Sequence, residues 1–238
     1  MDNVIFSGVG KRYRTLWALR EVDASFRAGE VVMVIGPNGS GKTTLIKCLL
    51  GLVRPTTGTI RVNGTVIGPD PSYRRSIGYM PQISQFPPSL TIGQLLDMMR
   101  DVRGLASGDT DDGLVEDLGL APQLDKRLGT LSGGTMQKVS AVLAFRSSPH
   151  ILVMDEPTAG LDPLSARTVL RQASKVRERG GTVLITSHLL EEVEALADRI
   201  AYLQDGSLRF LLPLREVLTR TGADRLAAAL PRMLAPTS

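Results

Sequence analysis

Residues 31–52 read VVMVIGPNGSGKTTLIKCLLGL, and this stretch decides the fold. It opens with five consecutive apolar residues, which is typical of a strand buried on both faces of a parallel sheet. A glycine-rich loop follows at 36–41, and the apolar residues after it recur at helical spacing. A buried strand that turns directly into a helix is the basic unit of an α/β sheet. The sequence therefore predicts an α/β fold built around this unit.

Further apolar runs at 151–154 and 182–186 predict two more buried strands, each followed by a helical pattern. Alternating residues at 4–6 and 22–26 predict antiparallel strands outside this sheet. The segment 83–149 has helical periodicity and no strand pattern, which predicts a helical subdomain. The predicted division of the chain is a catalytic core with a β subdomain at 1–82 and 150–208, a helical subdomain at 83–149, and a C-terminal helical extension at 209–238.

The composition is that of an ordinary globular protein: 238 residues, 42% hydrophobic, with a mean hydropathy of +0.04. Lys and Arg number 28 against 24 Asp and Glu, so the net charge is only +4. The basic residues near 171–179 are interrupted by Glu178 and predict a solvated helix face, and no nucleic-acid partner is expected. The single cysteine, Cys48, excludes an intrachain disulfide. No apolar run approaches the roughly 20 residues of a spanning helix, which predicts a cytoplasmic protein.

The loop at 36–43 fits the pattern G-x-x-x-x-G-K-[ST] at every fixed position. Its glycines let successive backbone N–H groups point inward, and the helix that follows presents its positive end to phosphate oxygens. Lys42 can then reach the β- and γ-phosphates, while the hydroxyl of Thr43 can ligate Mg²⁺. The alternative is a glycine-rich turn without a ligand, which the order of strand, loop and helix disfavours.

Two carboxylates, Asp155 and Glu156, follow the apolar run at 151–154. Ligands bind at the carboxyl ends of the strands in an open parallel sheet. Adjacent side chains point in different directions, so Asp155 is predicted to serve Mg²⁺ and Glu156 the attacking water. Phosphoryl transfer mainly requires positioning and charge neutralisation, and this pair can supply both. The alternative is two solvated acids at a strand end.

Two more segments narrow the class of protein. Residues 131–137 read LSGGTMQ at the start of a helical pattern, and residues 155–162 read DEPTAGLD. Together with GPNGSGKTT, they resemble the signature set of ABC-transporter ATP-binding subunits over about residues 4–208. The resemblance implies a single ABC ATPase domain over 1–238, with a P-loop NTPase (RecA-like) core, an antiparallel β subdomain and an α-helical subdomain.

The resemblance also implies how such a chain works. Ser132, Gly133 and Gly134 lie at a predicted helix start and form a second anion site, which one nucleotide does not require. In the family, two subunits pack head to tail, so that each ATP lies between the phosphate loop of one and the signature of the other. ATP closes this dimer, and hydrolysis followed by product release opens it. The implied cofactors are ATP and Mg²⁺, and two identical chains are the simpler pairing.

Other positions take their roles only from the resemblance. Gln82 matches a glutamine that contacts Mg²⁺ or the attacking water, although in isolation it reads as a loop residue. His188 matches a histidine that contacts the γ-phosphate, whereas His150 reads as structural. Tyr13 matches an aromatic residue that stacks on adenine, with core packing as its alternative. Leu161 and Asp162 match a loop that crosses the dimer interface. The full predicted nucleotide set is Tyr13, Gly36, Pro37, Asn38, Gly39, Ser40, Gly41, Lys42, Thr43, Thr44, Ser132, Gly133 and Gly134, with Lys42, Gln82, Glu156 and His188 catalytic and Thr43, Gln82 and Asp155 on the metal.

One residue departs from the family pattern. The fifth signature position is Thr135, where the commonest residue is Gln. Because the serine and the two glycines are the expected phosphate contacts, a hydrolytically competent site is still predicted.

A separate polytopic membrane subunit is the partner that the resemblance implies, with the ATPase peripheral on the inner face of the membrane. Residues 82–95 are the expected docking segment, and their apolar members could equally belong to subdomain packing. An accessory periplasmic or extracellular protein is compatible with the same reading. Four segments, PQI at 81–83, FP at 86–87, residues 98–104 and LSGGTMQKV at 131–139, look similar to ATPases of nitrous-oxide reductase maturation and copper-site assembly. ABC-2-type exporters share much of this pattern.

Two other classes remain as alternatives at this point. A soluble ABC ATPase in iron-sulfur assembly or nucleic-acid work shares the same motifs, although the chain lacks both a long coiled-coil insertion and a second cassette. A small-molecule P-loop kinase is disfavoured by the signature and by DEPTAGLD.

Overall fold

The protein is described by a computed structural model that covers residues 2–106, 108 and 110–235. The strands are β1 (Asp2–Tyr13), β2 (Leu16–Arg27), β3 (Val31–Ile35), β4 (Thr57–Val62), β5 (Thr65–Val66), β6 (Ile77–Met80), β7 (Ile151–Asp155), β8 (Thr182–Thr186), β9 (Arg199–Gln204) and β10 (Ser207–Pro213). The α-helices are α1 (Lys42–Leu49), α2 (Ile92–Arg103), α3 (Gly113–Asp117), α4 (Gly133–Phe145), α5 (Pro163–Glu178), α6 (Leu190–Leu196), α7 (Leu214–Thr221) and α8 (Leu226–Leu234). Short 3₁₀ turns lie at 72–76, 121–123 and 128–130.

The chain divides into two compact units. The first contains the described residues up to Asp70 together with those from Leu184 onward, and the second is Pro71–Val183. The predicted helical subdomain, 83–149, lies wholly inside the second unit, which also contains β6, β7 and α5. Strand β8 begins in the second unit and ends in the first, and all five of its residues are buried.

The first unit contains an antiparallel sheet in the order β2-β1-β4-β5. Inward-facing residues of β1 and β2 alternate with exposed ones, as expected of a sheet with one buried face. The rings of Phe6 and Phe26 meet edge to face in its core, with centroids 5.8 Å apart. This sheet is the predicted antiparallel β subdomain.

Strand β3, which precedes the glycine-rich loop, is buried along its whole length. It pairs in parallel with β9, and β9 pairs antiparallel with β10. Arg199 at the start of β9 donates to the carboxylate of Glu30 at 3.2 Å and to the carbonyl oxygen of Ser25 at 3.0 Å. The carboxylate of Asp198 accepts from the N–H of Val31. These bonds fix where β3 begins relative to β9, and so where the loop after β3 emerges.

The second unit contains the parallel pair β6 and β7, in which Tyr79 lies opposite Val153. Helix α4 packs closely on β6: a Cβ built on Gly78 would lie 2.0 Å from the carbonyl oxygen of Ala144. Seven side chains of α4 are buried, so this helix is a core element of the unit.

Arg146 follows α4 and connects three parts of the second unit. Its side chain is 11% exposed, and its guanidinium donates to Asp112 Oδ1 at 2.6 Å and to the carbonyl oxygen of Leu96 at 2.6 Å. A buried guanidinium is stable only when its donors are paired, and these acceptors supply that pairing. The hydrogen bond from Arg146 is the main cause that lowers the pKa of Asp112.

The alternation of buried strands and helices confirms the predicted α/β class. One boundary differs. Residues 209–213 belong to strand β10 rather than to a helical extension, because Phe210 stacks on Tyr202 of β9 at a centroid distance of 5.5 Å. The helical part of the extension starts at Leu214, and its residues 236–238 lie outside the described residues.

None of the helices in the described ranges combines the length and the apolar composition needed to cross a bilayer.

Replacing Gly78 with Ala should destabilise the protein by about 3 kcal/mol, because the new Cβ collides with backbone rather than with a flexible side chain. Gly68→Ala is the matched control: a Cβ there meets nothing within 4 Å, so its effect should stay within about 0.5 kcal/mol. Urea unfolding of both variants measures the difference. Equal stabilities for the two variants would contradict the close packing of β6 on α4.

Candidate active site

The glycine-rich loop of the first unit is shaped by close backbone contacts. A Cβ on Gly36 would lie 2.0 Å from the carbonyl oxygen of Leu203, and one on Gly41 would lie 2.5 Å from that of Ala18. Both residues have positive φ, 148° and 108°, which glycine adopts readily. The N–H of Gly206 donates to the carbonyl oxygen of Ser40 at 3.1 Å. The loop is therefore seated between β2 and the β9–β10 turn.

Polar groups of this loop fit a chain of phosphates. Lys42 donates through Nζ to the carbonyl oxygens of Gly36, at 2.7 Å, and Pro37, at 3.1 Å, so its ammonium lies along the loop. The N-cap of α1 is Gly41, which has no side chain that could cap the helix start at Lys42. The Oγ of Ser40 is buried and has no hydrogen-bond partner among the described residues. An anion at this helix end would meet the dipole, the ammonium and the backbone donors together.

Tyr13 lies at the end of β1, where its ring is 43% exposed and 5.1 Å from the Nζ of Lys11. The structure therefore does not pack this ring in the core, and the Lys11 ammonium lies over one of its faces. His188, in the same unit, is exposed directly after β8. The preceding residue, Ser187, is buried; its Oγ donates to Glu192 and accepts from the N–H of Leu189. These two bonds fix the turn that carries the imidazole.

Strand β7 of the second unit delivers the two predicted carboxylates. Asp155 is 4% exposed at the last position of the strand, and Glu156 is half-buried directly after it. Glu156 has φ 52°, a left-handed conformation that costs free energy for a residue with a side chain. Such strain is characteristic of functional sites, where the surrounding structure imposes it. Burial and the charge of Asp155 raise the pKa of the neighbouring Tyr79 to about 12, so this phenol stays protonated.

Gln82 is exposed in the loop after β6, and the segments beside it are tied to α4. Gln137, a buried residue of α4, donates to the carbonyl oxygen of Pro81 at 3.4 Å and accepts from Ser84 Oγ at 3.2 Å. Residues on both sides of Gln82 are thus bonded to one amide. Sequence reasoning missed Gln137; its signal was a polar residue at a buried helical position directly after the signature.

The signature residues form the first turn of α4. Ser132 is the N-cap, and its Oγ accepts from the N–H of Thr135 at 3.2 Å. Ser132 and Gly133 are exposed, while Gly134 is half-buried. A Cβ on Gly134 would lie 2.8 Å from the carbonyl oxygen of Gly160, so the signature turn and the DEPTAGLD loop lie against each other.

Asp162 joins the signature helix to α5. It caps α5 by accepting from the N–H of Ser165 at 2.9 Å and from Ser165 Oγ at 2.7 Å. Its Oδ2 also lies 2.9 Å from the Nζ of Lys138 on α4. The hydrogen bonds from Ser165, followed by the bond to Lys138, hold the pKa of Asp162 well below its usual range. Lys138 is a second residue that sequence reasoning missed, because nothing local indicates its partner.

The predicted site residues therefore divide between the two units. The first holds Tyr13, residues 36–44 and His188. The second holds Gln82, Ser132, Gly133, Gly134, Asp155 and Glu156.

The family model for ABC transporters matches residues 19–159. The chain belongs to the ABC transporter family. It is 33% identical over 222 residues to the linearmycin resistance ATP-binding protein LnrL of Bacillus subtilis, covering 92% of this chain and 71% of that protein. It is 32% identical over 228 residues to the molybdate/tungstate import ATP-binding protein WtpC of Thermococcus kodakarensis, covering 94% and 69%.

Solved structures agree with this assignment. An ATP-binding subunit of an ABC transporter superposes with a TM-score of 0.92 at 28% identity, covering 97% of this chain and 98% of that one. A dimeric bacterial ABC transporter cassette superposes with a TM-score of 0.79 at 25% identity, covering 89% and 99%. The predicted fold is confirmed as that of an ABC cassette, a P-loop NTPase. As a member of this family the chain is an ATP-binding subunit that hydrolyses ATP to ADP and phosphate, coupled to transport.

Replacing Asp162 with Ala should lower the thermal midpoint at neutral pH by about 2–4 °C, because α5 loses its cap and Lys138 loses its partner. Lys138→Met removes only the ion pair and should have a smaller effect. Thermal melts monitored by circular dichroism measure both, with Asp125→Asn as an exposed control in the same unit.

The pH dependence of these variants tests the charge of Asp162. A depressed pKa stabilises the folded state above the unfolded value of about 3.9, and this stabilisation disappears as the pH falls through the folded value. The difference in thermal midpoint between Lys138→Met and the unmodified chain should therefore shrink as the solution is made more acidic. A difference in thermal midpoint that stays constant down to the lowest pH at which the chain folds would contradict the ion pair.

Proposed function

We propose that this subunit works as a homodimer that ATP closes head to tail, and that the closed dimer powers a separate membrane subunit. One observation carries the proposal: a single chain presents a glycine-rich phosphate loop at the start of α1 in its first unit and an exposed signature turn at the start of α4 in its second. One nucleotide needs one such anion-binding helix start. A second copy of the chain would let each nucleotide use both.

Within this proposal the phosphate loop binds the triphosphate through the backbone N–H groups of 36–44, and Lys42 neutralises the β- and γ-phosphates. The exposed ring of Tyr13 stacks on adenine. Ser132, Gly133 and Gly134 of the second copy contact the γ-phosphate. The hydroxyl of Thr43, the carboxylate of Asp155 and the amide oxygen of Gln82 are the oxygen donors that suit Mg²⁺. When bound, Mg²⁺ would neutralise charge on the phosphate oxygens.

Glu156 is the proposed general base. Its carboxylate accepts a proton from water as the water oxygen attacks the γ-phosphorus, and the bond to the bridging oxygen breaks to release ADP. The left-handed backbone at Glu156 fixes the direction of this side chain. His188, held by the Ser187 turn, contacts the γ-phosphate, and Gln82 contacts the attacking water. Because the γ-phosphate leaves, the contacts that hold the dimer closed are lost after hydrolysis.

The proposed partner is a polytopic membrane subunit that docks on the segment 82–95. Ile83 is 74% exposed in this segment, an unusual position for a large apolar side chain. Because the amide of Gln137 bonds to both sides of Gln82, movement of the docked segment would reach the signature helix. This arrangement places the ATPase in the cytoplasm, peripheral on the inner face of the membrane. The branch of nitrous-oxide reductase maturation or ABC-2-type export, and an accessory extracytoplasmic protein, stay predictions.

Replacing Glu156 with Gln should lower ATP turnover by at least about 100-fold, because the amide cannot accept the proton from water. The variant should still bind ATP and should accumulate as a dimer. Turnover assays and light scattering with and without ATP measure the two effects. Glu178→Gln, an exposed residue near the end of α5, is the matched control and should behave as the unmodified chain.

A Glu156→Gln variant that stays monomeric with ATP and keeps full activity would overturn both the base assignment and the dimer. A dimer that forms equally well without nucleotide would overturn ATP-driven closure.

The membrane partner is tested by affinity capture from native membranes in detergent with ATP, using Glu156→Gln as bait. Lys42→Ala should bind ATP weakly, because phosphate charge loses its compensation, and it serves as the control bait. Recovery of a polytopic protein with the first bait supports the proposal and identifies the branch. Recovery of only soluble proteins or nucleic acid would favour a soluble ABC ATPase without transport.

A further inference from the structure

The hydroxyl of Thr135 lies against the hydroxyl of Ser132 in the first turn of α4. The two Oγ atoms are 2.9 Å apart, and the N–H of Thr135 donates to Ser132 Oγ at 3.2 Å. Ser132 is exposed and Thr135 half-buried. One residue therefore makes two hydrogen bonds to the signature serine, one from its backbone and one from its side chain.

Either of the two hydroxyls could be the donor in this pair, and each choice leaves Ser132 with different free hydrogen-bonding capacity. A serine Oγ has one proton to donate and two lone pairs that accept. When the Thr135 hydroxyl donates, its proton and the Thr135 N–H fill both lone pairs. The proton of Ser132 is then left to point away from the helix. A phosphate oxygen accepts hydrogen bonds, so this is the state in which Ser132 can donate to phosphate.

The helix does not need the second bond. The N-cap bond runs from the backbone N–H of Thr135, which any residue other than proline would supply at this position. The side-chain hydroxyl is an addition to a cap that is already formed. Gly133 and Gly134 have no side chains that could take its place.

We propose that Thr135 is a positioning residue whose hydroxyl donates to Ser132 Oγ and thereby fixes Ser132 as a donor to the γ-phosphate of ATP held by a second copy of this chain. The inference rests on the proposed head-to-tail dimer. Hydrogen bonds in series polarise one another, so the Ser132–phosphate bond is also strengthened.

The test uses Thr135→Val, which keeps the branched shape and the backbone N–H but removes the hydroxyl. In the Glu156→Gln chain, the dissociation constant of the ATP-bound dimer should rise about tenfold, because one neutral hydrogen bond contributes about threefold and the symmetric dimer contains two. Analytical ultracentrifugation with ATP measures it. ATP affinity of the monomer, measured by calorimetry, should not change, since Ser132 acts on the partner's nucleotide.

Two further variants separate positioning from a structural effect. Thr135→Ser restores the hydroxyl and should return the dimer constant to within about twofold of the Glu156→Gln parent. In a Ser132→Ala background, Thr135→Val should have no further effect, because the hydroxyl then has no group to orient. The inference would be overturned if the effects of Ser132→Ala and Thr135→Val on the dimer dissociation constant added in full. It would also be overturned if Thr135→Ser dimerised as weakly as Thr135→Val.

The behaviour of the Glu156→Gln chain without a change at Thr135 separates the test of Thr135 from the test of the dimer. Failure of Glu156→Gln to dimerise with ATP overturns the proposed function. If ATP does drive dimerisation but Thr135→Val leaves the dimer dissociation constant unchanged, only the proposed role of Thr135 is overturned.

Discussion

The close approach of backbone to backbone at the phosphate loop is the constraint on which the rest of the first unit depends. At Gly36 and Gly41 a single added carbon would lie within 2.0 Å and 2.5 Å of carbonyl oxygens on neighbouring strands. The loop can sit there only because β2, β3 and the β9–β10 turn are held at fixed distances, in part by the Glu30–Arg199 ion pair. The same loop contains the buried hydroxyl of Ser40, which has no hydrogen-bond partner within the part of the chain that the structure describes, and the Lys42 ammonium on the loop carbonyl oxygens.

Helix α4 is the element of the second unit to which the other candidate site segments are bonded. Its first turn carries the signature, Gln137 holds the loop around Gln82, and Lys138 holds the cap of α5. Arg146, directly after its last residue, bonds to Leu96 and Asp112. These bonds connect the Gln82 loop and the DEPTAGLD loop to the helix that carries the signature, all within this unit.

Much of this arrangement could be predicted from the sequence, for reasons that differ between elements. The apolar run 31–35 and the pattern of the glycine-rich loop are local signals, so the strand, loop and α1 could be placed without a structure. The sequence predicts a helical extension over residues 209–213 of β10, because the pairing with β9 and the stacking of Phe210 on Tyr202 are tertiary contacts that a local pattern does not show. Gln137 and Lys138 could not be assigned roles, since their partners lie 56 and 24 residues away in sequence. Local pattern carries no information about such contacts.

A left-handed backbone and an added hydrogen bond occur at two of the residues proposed for catalysis and binding. Glu156, the proposed general base, has a backbone conformation that costs free energy for a residue with a side chain. Ser132 follows the same logic in hydrogen bonds: a cap needs only its acceptor, yet a second hydroxyl, that of Thr135, lies within 2.9 Å. Folding alone requires neither the strained backbone at Glu156 nor the second hydroxyl at Ser132. Such features are expected at a binding or catalytic site, which is the role proposed for both residues.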